Sequence, residues 1–198
     1  MDGGAYMQLD EFTLQRAIKG DKQAFEEIVR IYQDRVYGIS LRMLSNTHEA
    51  EDCAQETFIK IYRNLPRFEK RSSFSTWVYR IAMNCALDMI RKKKAQQNTD
   101  SLEEMVDQGF APVETGIGPE ESAINELTND LVKEAIALLP EDQRAVIVLR
   151  DINGRTYEEI ADITGANLNT VKSRISRGRQ QLRKMLLNNT ELFEFPCV

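Results

Sequence analysis

The chain has 198 residues, 42% hydrophobic and 29% charged, with a formal net charge of −5, a balance that suits a folded protein with a sizeable core and excludes a fibrous or disordered one. No apolar run approaches the ~20 residues of a membrane span, and MDGGAYMQLDEF lacks the basic-then-apolar order of a signal peptide, so we expect a cytoplasmic protein without direct membrane insertion. Cys53, Cys85 and Cys197 are far apart and form no CxxC, and His48 is the only histidine, which together argue for reduced thiols and against a disulfide framework, a metal centre or a histidine-based catalytic pair.

In chain order, Glu11 to Lys19 reads as a short helix closed by Gly20. Asp21 is a good cap for a long helix from Lys22 to about Leu44, with Phe25, Ile28, Val29, Tyr32, Val36, Ile39 and Leu44 at helical spacing. After the break at Ser45, Asn46 and Thr47, a helix from about His48 to Leu65 is expected to bury Ala54, Phe58, Ile61, Tyr62 and Leu65, and Pro66 stops it. On its other face Asp52, Gln55, Glu56 and Ile59 are neighbours at i, i+3, i+4 and i+7. That face is either simply solvated or a dock for a basic partner, and a carboxylate metal site there lacks further ligands.

Pro66 to Ser75 reads as a polar loop holding Arg67, Phe68, Lys70 and Arg71. A helix from about Thr76 to Lys94 follows, with Val78, Ile81, Ala82, Cys85 and Met89 as its buried stripe and Trp77, Arg80, Asn84 and Arg91 elsewhere. Cations interleaved with Phe68, Phe74 and Trp77 suit single-stranded nucleic acid, where each stacked base contributes ~1–3 kcal/mol. The alternative is that the aromatics belong to the core and the terminal Arg91–Lys94 run answers the helix dipole.

Ala95 to Glu121 has no sustained period and reads as a flexible linker. Residues 1–94 carry 16 basic and 13 acidic groups, residues 95–122 none basic and seven acidic, and residues 123–198 10 basic and 11 acidic. One acidic segment therefore sets the total charge, which leaves local basic clusters free to meet phosphate.

Ala123 to Leu138 reads as helical, and Pro140 suits the first turn of a helix running to about Ile152. Asn153-Gly154 then turns the chain into a helix-turn-helix. Thr156 and Glu159 form a capping box, Tyr157, Ile160, Ala161 and Ile163 a short stripe, and Gly165 a left-handed stop. Asn167 caps a second helix with Val171, Ile175, Gly178, Leu182 and Met185 on one face. From Asn169 to Leu187 there are six basic residues and no acidic one, with Asn169, Thr170, Ser173 and Ser176 near the start, where a recognition helix meets base edges. A plain helical hairpin with a solvated basic face is the competing account. The tail from Asn188, with Phe193, Phe195 and Cys197, is uninformative.

HEAEDCAQETFIKIYRNLPRF, FSTWVYRIAMNCALDMIRKKK, LPEDQRAVIVLRDINGRTYEEIA and NTVKSRISRGRQQLRK, in this order around an acidic spacer, resemble bacterial RNA polymerase sigma factors of the extracytoplasmic-function group. The resemblance implies an all-α chain of two small helical domains, region 2 over residues 1–94 and region 4 over 123–187, joined by the linker at 95–122 and followed by a tail at 188–198. It implies core polymerase (β′ clamp helices and β flap), promoter DNA and an anti-sigma factor as partners, with no cofactor and no enzymatic activity of its own. Carried over by position, Asp52, Gln55, Glu56 and Ile59 match the surface offered to the β′ clamp helices. Phe68, Arg71, Ser72, Ser73, Phe74, Thr76, Trp77, Arg80 and Asn84 match the −10 reader, which captures a flipped base. Asn169, Thr170, Lys172, Ser173, Arg174, Ser176 and Arg177 match the −35 recognition helix, with an AAC core implied in the site. The acidic linker would enter the polymerase cleft as a mimic of nucleic acid. Two rivals remain at this point: a stand-alone helix-turn-helix repressor with a helical ligand-binding half, and a helical enzyme using Glu49, Asp52 and Glu56.

Overall fold

A computed structural model describes residues 9–99 and 130–190, with side chains over 9–96 and 130–187. The acidic stretch from Asp100 to Glu121, the start of the helix expected at Ala123, and Phe193, Phe195 and Cys197 lie outside the described residues. Among the described residues the regular elements are all helical: α1 (Glu11–Ile18), α2 (Lys22–Leu44), α3 (Thr47–Asn64), α4 (Phe74–Thr99), α5 (residues 130–137), α6 (Glu141–Ile147), α7 (Tyr157–Thr164) and α8 (Leu168–Thr190). A 3-10 turn at Leu65–Arg67 follows α3, and five residues of π-helix, Val148–Ile152, follow α6.

The helix starts are set by local chemistry. Asp10 accepts from the Thr13 amide, Asp21 from those of Gln23 and Ala24, and Asn46 from that of Glu49, each satisfying an amide that has no partner inside its helix. At α3 the buried stripe is Ala50, Cys53, Thr57 and Ile61, while Tyr62 is 46% exposed, a rotation of the stripe expected from the sequence. Thr57 can lie inside because its hydroxyl donates to the Cys53 carbonyl at 2.7 Å. Tyr62 instead packs edge-on against Phe25, with ring centroids 4.9 Å apart.

α4 begins two residues before Thr76 and runs on to Thr99, so the first five residues assigned to the linker are helical. Two cations hold this extension. Lys93 pairs with Glu49 of α3 at 2.7 Å, and Lys94 pairs with Glu141 of α6. α4 is also buried on more than the expected stripe: Val78, Ala82 and Cys85 are inside, and so are Tyr79, Met83 and Ala86. α2 and α3 pack against α4, and α7 of the second half packs there as well. One continuous apolar cluster therefore runs from Leu14 to Ile175 through both halves.

In the second half α6 crosses α8 at Gly178, which is buried, and α7 closes the other side with Ile160 and Ile163. The capping box at Thr156 and Glu159 is formed in both directions, Gly165 takes φ +69°, and Asn167 accepts from the Thr170 amide at 2.8 Å. The helix-turn-helix is thus built from the local signals that announce it.

Candidate nucleic-acid and polymerase interfaces

The exposed face of α3 is formed by the residues the sequence marks. Asp52, Gln55, Glu56 and Ile59 are all exposed, Ile59 at 44%. His48 lies 3.7 Å from Asp52 and Lys60 3.9 Å from Glu56, both loose, solvent-facing pairs of small energetic weight. Glu49 is turned to Lys93 instead. The three carboxylates that the enzyme rival needs therefore face three different side chains, Lys93, His48 and Lys60, and the described residues hold no group of three or more His, Cys, Asp or Glu placed to bind a metal.

The loop between α3 and α4 folds around an aromatic cluster. Phe68 stands 5.3 Å from Phe74 and 5.2 Å from Trp77, and Phe74 5.7 Å from Tyr32, ring centroid to centroid. Phe74 and Thr76 are buried, while Phe68, Trp77 and Arg80 are half-buried. Ser73 and Thr76 share a hydroxyl–hydroxyl bond of 2.8 Å, and the Thr76 amide donates to Ser73 Oγ, which caps α4. Arg71 is exposed and paired with Glu69 at 2.7 Å, and Asn84 is exposed. The structure thus gathers Phe68, Ser72, Ser73 and Phe74 along one cavity of about 880 Å³, with Arg71 outside it and Asn84 further along α4.

That cavity also shows residues the sequence did not single out. Tyr32, Arg35 and Ser75 line it from the first half, and Asn153, Gly154 and Arg155 from the second. Burial pushes the Tyr32 hydroxyl above its ordinary value, so the phenol stays protonated and able to donate there. Position alone could have suggested Arg155, which sits beside the Asn153-Gly154 turn; its reach into the first half depends on packing that no local pattern reveals.

On α8, Asn169, Lys172, Ser173, Ser176 and Arg177 are exposed, and Thr170 and Arg174 half-buried. Arg174 Nε lies 2.9 Å from Asp142 of α6, and Arg179 pairs with Asp151 through two nitrogens. The Asp151 carboxylate raises the Arg179 guanidinium further above its ordinary value. The acids missing from α8 itself are supplied by α6 and the π-helical stretch that continues it, and two of its six cations are committed to holding them. Lys172 and Arg177 carry their charge outward at the helix start.

Residues 28–96 match Sigma-70 region 2, and residues 129–182 match Sigma-70, region 4. The chain is 43% identical over 172 residues to the ECF RNA polymerase sigma factor SigW of Bacillus subtilis, covering 85% of this chain and 91% of the relative. It is 35% identical over 180 residues to the RNA polymerase sigma-H factor of Pseudomonas aeruginosa, covering 89% and 93%. Among solved structures, the sigma factor RpoE of Bartonella quintana in complex with the anti-sigma factor NepR superposes with a TM-score of 0.67 at 25% identity, over 83% of this chain and 97% of that one. CnrH, in complex with the cytosolic domain of CnrY, shares the fold at a TM-score of 0.65 and 21% identity, over 90% and 97%.

Proposed function

Because the chain belongs to the ECF sigma factors of the sigma-70 family, we propose that its two halves divide promoter recognition in the following way. The chain directs promoter-specific initiation as a dissociable subunit of bacterial RNA polymerase. Asp52, Gln55, Glu56 and Ile59 dock to the β′ clamp helices; their exposure on one face of α3 supports this, because a short acidic strip around one apolar residue is complementary to a basic helical surface. Phe68, Trp77 and the loop serines receive an unstacked base of the −10 element, with Arg80 and Asn84 tracking the strand. Asn169, Thr170, Lys172, Ser173, Ser176 and Arg177 enter the major groove at −35, with Arg174 released from Asp142 as it meets a base edge or phosphate.

The observation that carries this division is the placement of the polar start of α8 and the aromatic loop of α4 on separate helical halves, each with exposed donors. The polymerase performs the chemistry; this chain supplies readout and traps melted DNA. A protein of this kind works in the cytoplasm, in keeping with the absence, among the described residues, of any helix long and apolar enough to cross a membrane. The Bartonella relative is bound to an anti-sigma factor, and we infer that such a protein holds this chain too. Run-off transcription with core polymerase on a randomised promoter library tests the whole reading. A defined start site downstream of a recovered −35/−10 pair is expected; random starts, or tight operator binding by the chain without polymerase, overturn it.

A further inference from the structure

The half assigned to −35 carries no net positive charge. Residues 123–198 hold 10 basic and 11 acidic groups, yet α8 from Asn169 to Leu187 holds six cations and no acid. Where the acids stand relative to those cations decides how much of the helix's charge a phosphate backbone can use.

Asn169, Ser173 and Ser176 share one exposed face of α8 at i, i+4 and i+7, opposite the buried Val171, Ile175 and Gly178. Arg174 and Arg179 stand on the two shoulders between these faces. On one shoulder Arg174 Nε meets Asp142 of α6 at 2.9 Å. On the other, the Arg179 guanidinium meets both carboxylate oxygens of Asp151 in the π-helical stretch, Nε at 3.1 Å. Lys172 and Arg177, nearer the polar face, are exposed.

A major groove is about 12 Å wide and takes a single helix, so the phosphates of its two walls run along that helix's shoulders. Both shoulder cations therefore stand where a backbone would pass, and each is already answered by a carboxylate of its own half. The side chains in the two pairs are between 32% and 51% exposed, and pairs of this kind hold by no more than about fivefold. One phosphate contact gains about eightfold at ~0.1 M salt relative to ~1 M. Exchanging carboxylate for phosphate thus nearly breaks even, and it leaves the freed carboxylate facing the backbone. A matched base edge adds about five- to 150-fold. A random duplex leaves the pairs closed, whereas a cognate site, which seats the polar face deeply, opens them.

We propose that Asp142 and Asp151 are specificity-determining residues of the −35 reader. Each holds a shoulder arginine back from the phosphate backbone, which lowers sequence-independent binding and leaves discrimination to the polar face between them. The proposal rests on the −35 assignment made above and extends it to residues outside α8 that touch no base. Asp142 acts through Arg174 and Asp151 through Arg179, so both are positioning residues.

The test begins with the full chain and a fluorescent random-sequence duplex, with anisotropy followed across a salt series. Asp142→Asn/Asp151→Asn should bind this duplex about tenfold more tightly or better at ~0.1 M salt. Its plot of log affinity against log salt should steepen by about 1.8, the value for two added phosphate contacts. Glu158→Gln/Asp162→Asn removes the same two charges from exposed positions on α7 and should leave the slope unchanged. An unchanged slope in the first variant, or an equal steepening in the second, overturns the proposal. In an Arg174→Ala/Arg179→Ala background the Asn pair should no longer alter the slope; a retained effect overturns the action through these arginines. Holoenzyme carrying the Asn pair should also discriminate less between a recovered promoter and the same promoter scrambled at −35, and unaltered discrimination overturns the specificity role. If wild-type holoenzyme itself ignores the scrambling, the −35 assignment fails, while the salt slope still judges the hold on the arginines. If the double variant loses helical circular dichroism, Asp151→Asn alone is judged by its slope, expected to steepen by about 0.9.

Discussion

Gly178 of α8 lies so close to Ile147 of α6 that a β-carbon at that position would stand 2.9 Å from Ile147 Cγ1 and 3.2 Å from Cδ1. Ile147 is buried and cannot turn away. Alanine gains about 1 kcal/mol of helix propensity over glycine, while overpacking a filled core costs about 1–3 kcal/mol. Gly178→Ala should therefore lose about 1 kcal/mol net in urea denaturation, and Gly178→Val clearly more. A stabilised alanine variant would mean that α6 and α8 separate without cost.

The helix-turn-helix is held by two local devices whose removal should be additive. Thr156→Ala removes the hydroxyl that accepts from the Glu159 amide at 3.1 Å and should cost about 1 kcal/mol. Gly165→Ala places a β-carbon at φ +69° and should cost about 1–2 kcal/mol. Both are read by thermal unfolding, and the sum should hold for the double variant to within about 0.5 kcal/mol.

Charge reversal on α3 should break polymerase association without touching the fold, since these side chains face solvent. Asp52→Arg/Glu56→Arg is expected to weaken co-migration with core polymerase at least tenfold, about 1.4 kcal/mol, with an unchanged unfolding midpoint. Equal association of the variant and the wild type would move the docking surface elsewhere.

The two DNA-reading halves should fail differently. Arg174→Ala should lower −35 selectivity in the holoenzyme by about 1–3 kcal/mol, seen as loss of discrimination among duplexes mutated there. Trp77→Ala should leave duplex binding in place and slow promoter opening, followed by permanganate reactivity of unpaired thymines. Identical defects in duplex binding would contradict the division of labour.

Acid should loosen the first two helices through their caps. The Thr13 amide and hydroxyl hold the Asp10 carboxyl below its ordinary value, and Arg16 together with the Ala24 and Gln23 amides does the same for Asp21. A carboxyl lowered in the fold stabilises above its unfolded value of about 3.9, and that contribution disappears as pH falls through the folded value. Asp10→Asn/Asp21→Asn keeps the capping oxygens but removes the titration. The melting temperature of this variant should fall less steeply than the wild type's between about pH 4.5 and pH 2.

Features set by neighbours in sequence were legible. The Thr156–Glu159 box, the Gly165 stop and the Asn167 cap each need only three or four residues to specify them. The stripe of α3 was misplaced by apolar counting because Thr57 is buried through a bond to its own helix, while Tyr62 remains half outside. The second buried face of α4, with Tyr79 and Met83, follows from packing that includes α7, whose residues lie some eighty positions away in the chain, a relation no period encodes. The candidate sites were legible for the same reason as the helices: runs of one charge sign or of aromatics on one stretch are local. What those side chains already hold, such as Asp142 on Arg174, is not.

The five π-helical residues Val148–Ile152 admit one more residue per turn than an α-helix, with the Asn153 amide reaching back to the Val148 carbonyl at 3.1 Å. Loss of a single residue from this stretch would let the helix tighten into ordinary turns and swing everything downstream by about 100°. Arg155 would then leave Ser75 without any change to its own side chain. A one-residue length change here is thus a steering joint, by which related chains could re-aim their upstream reader while every contacting side chain stays the same.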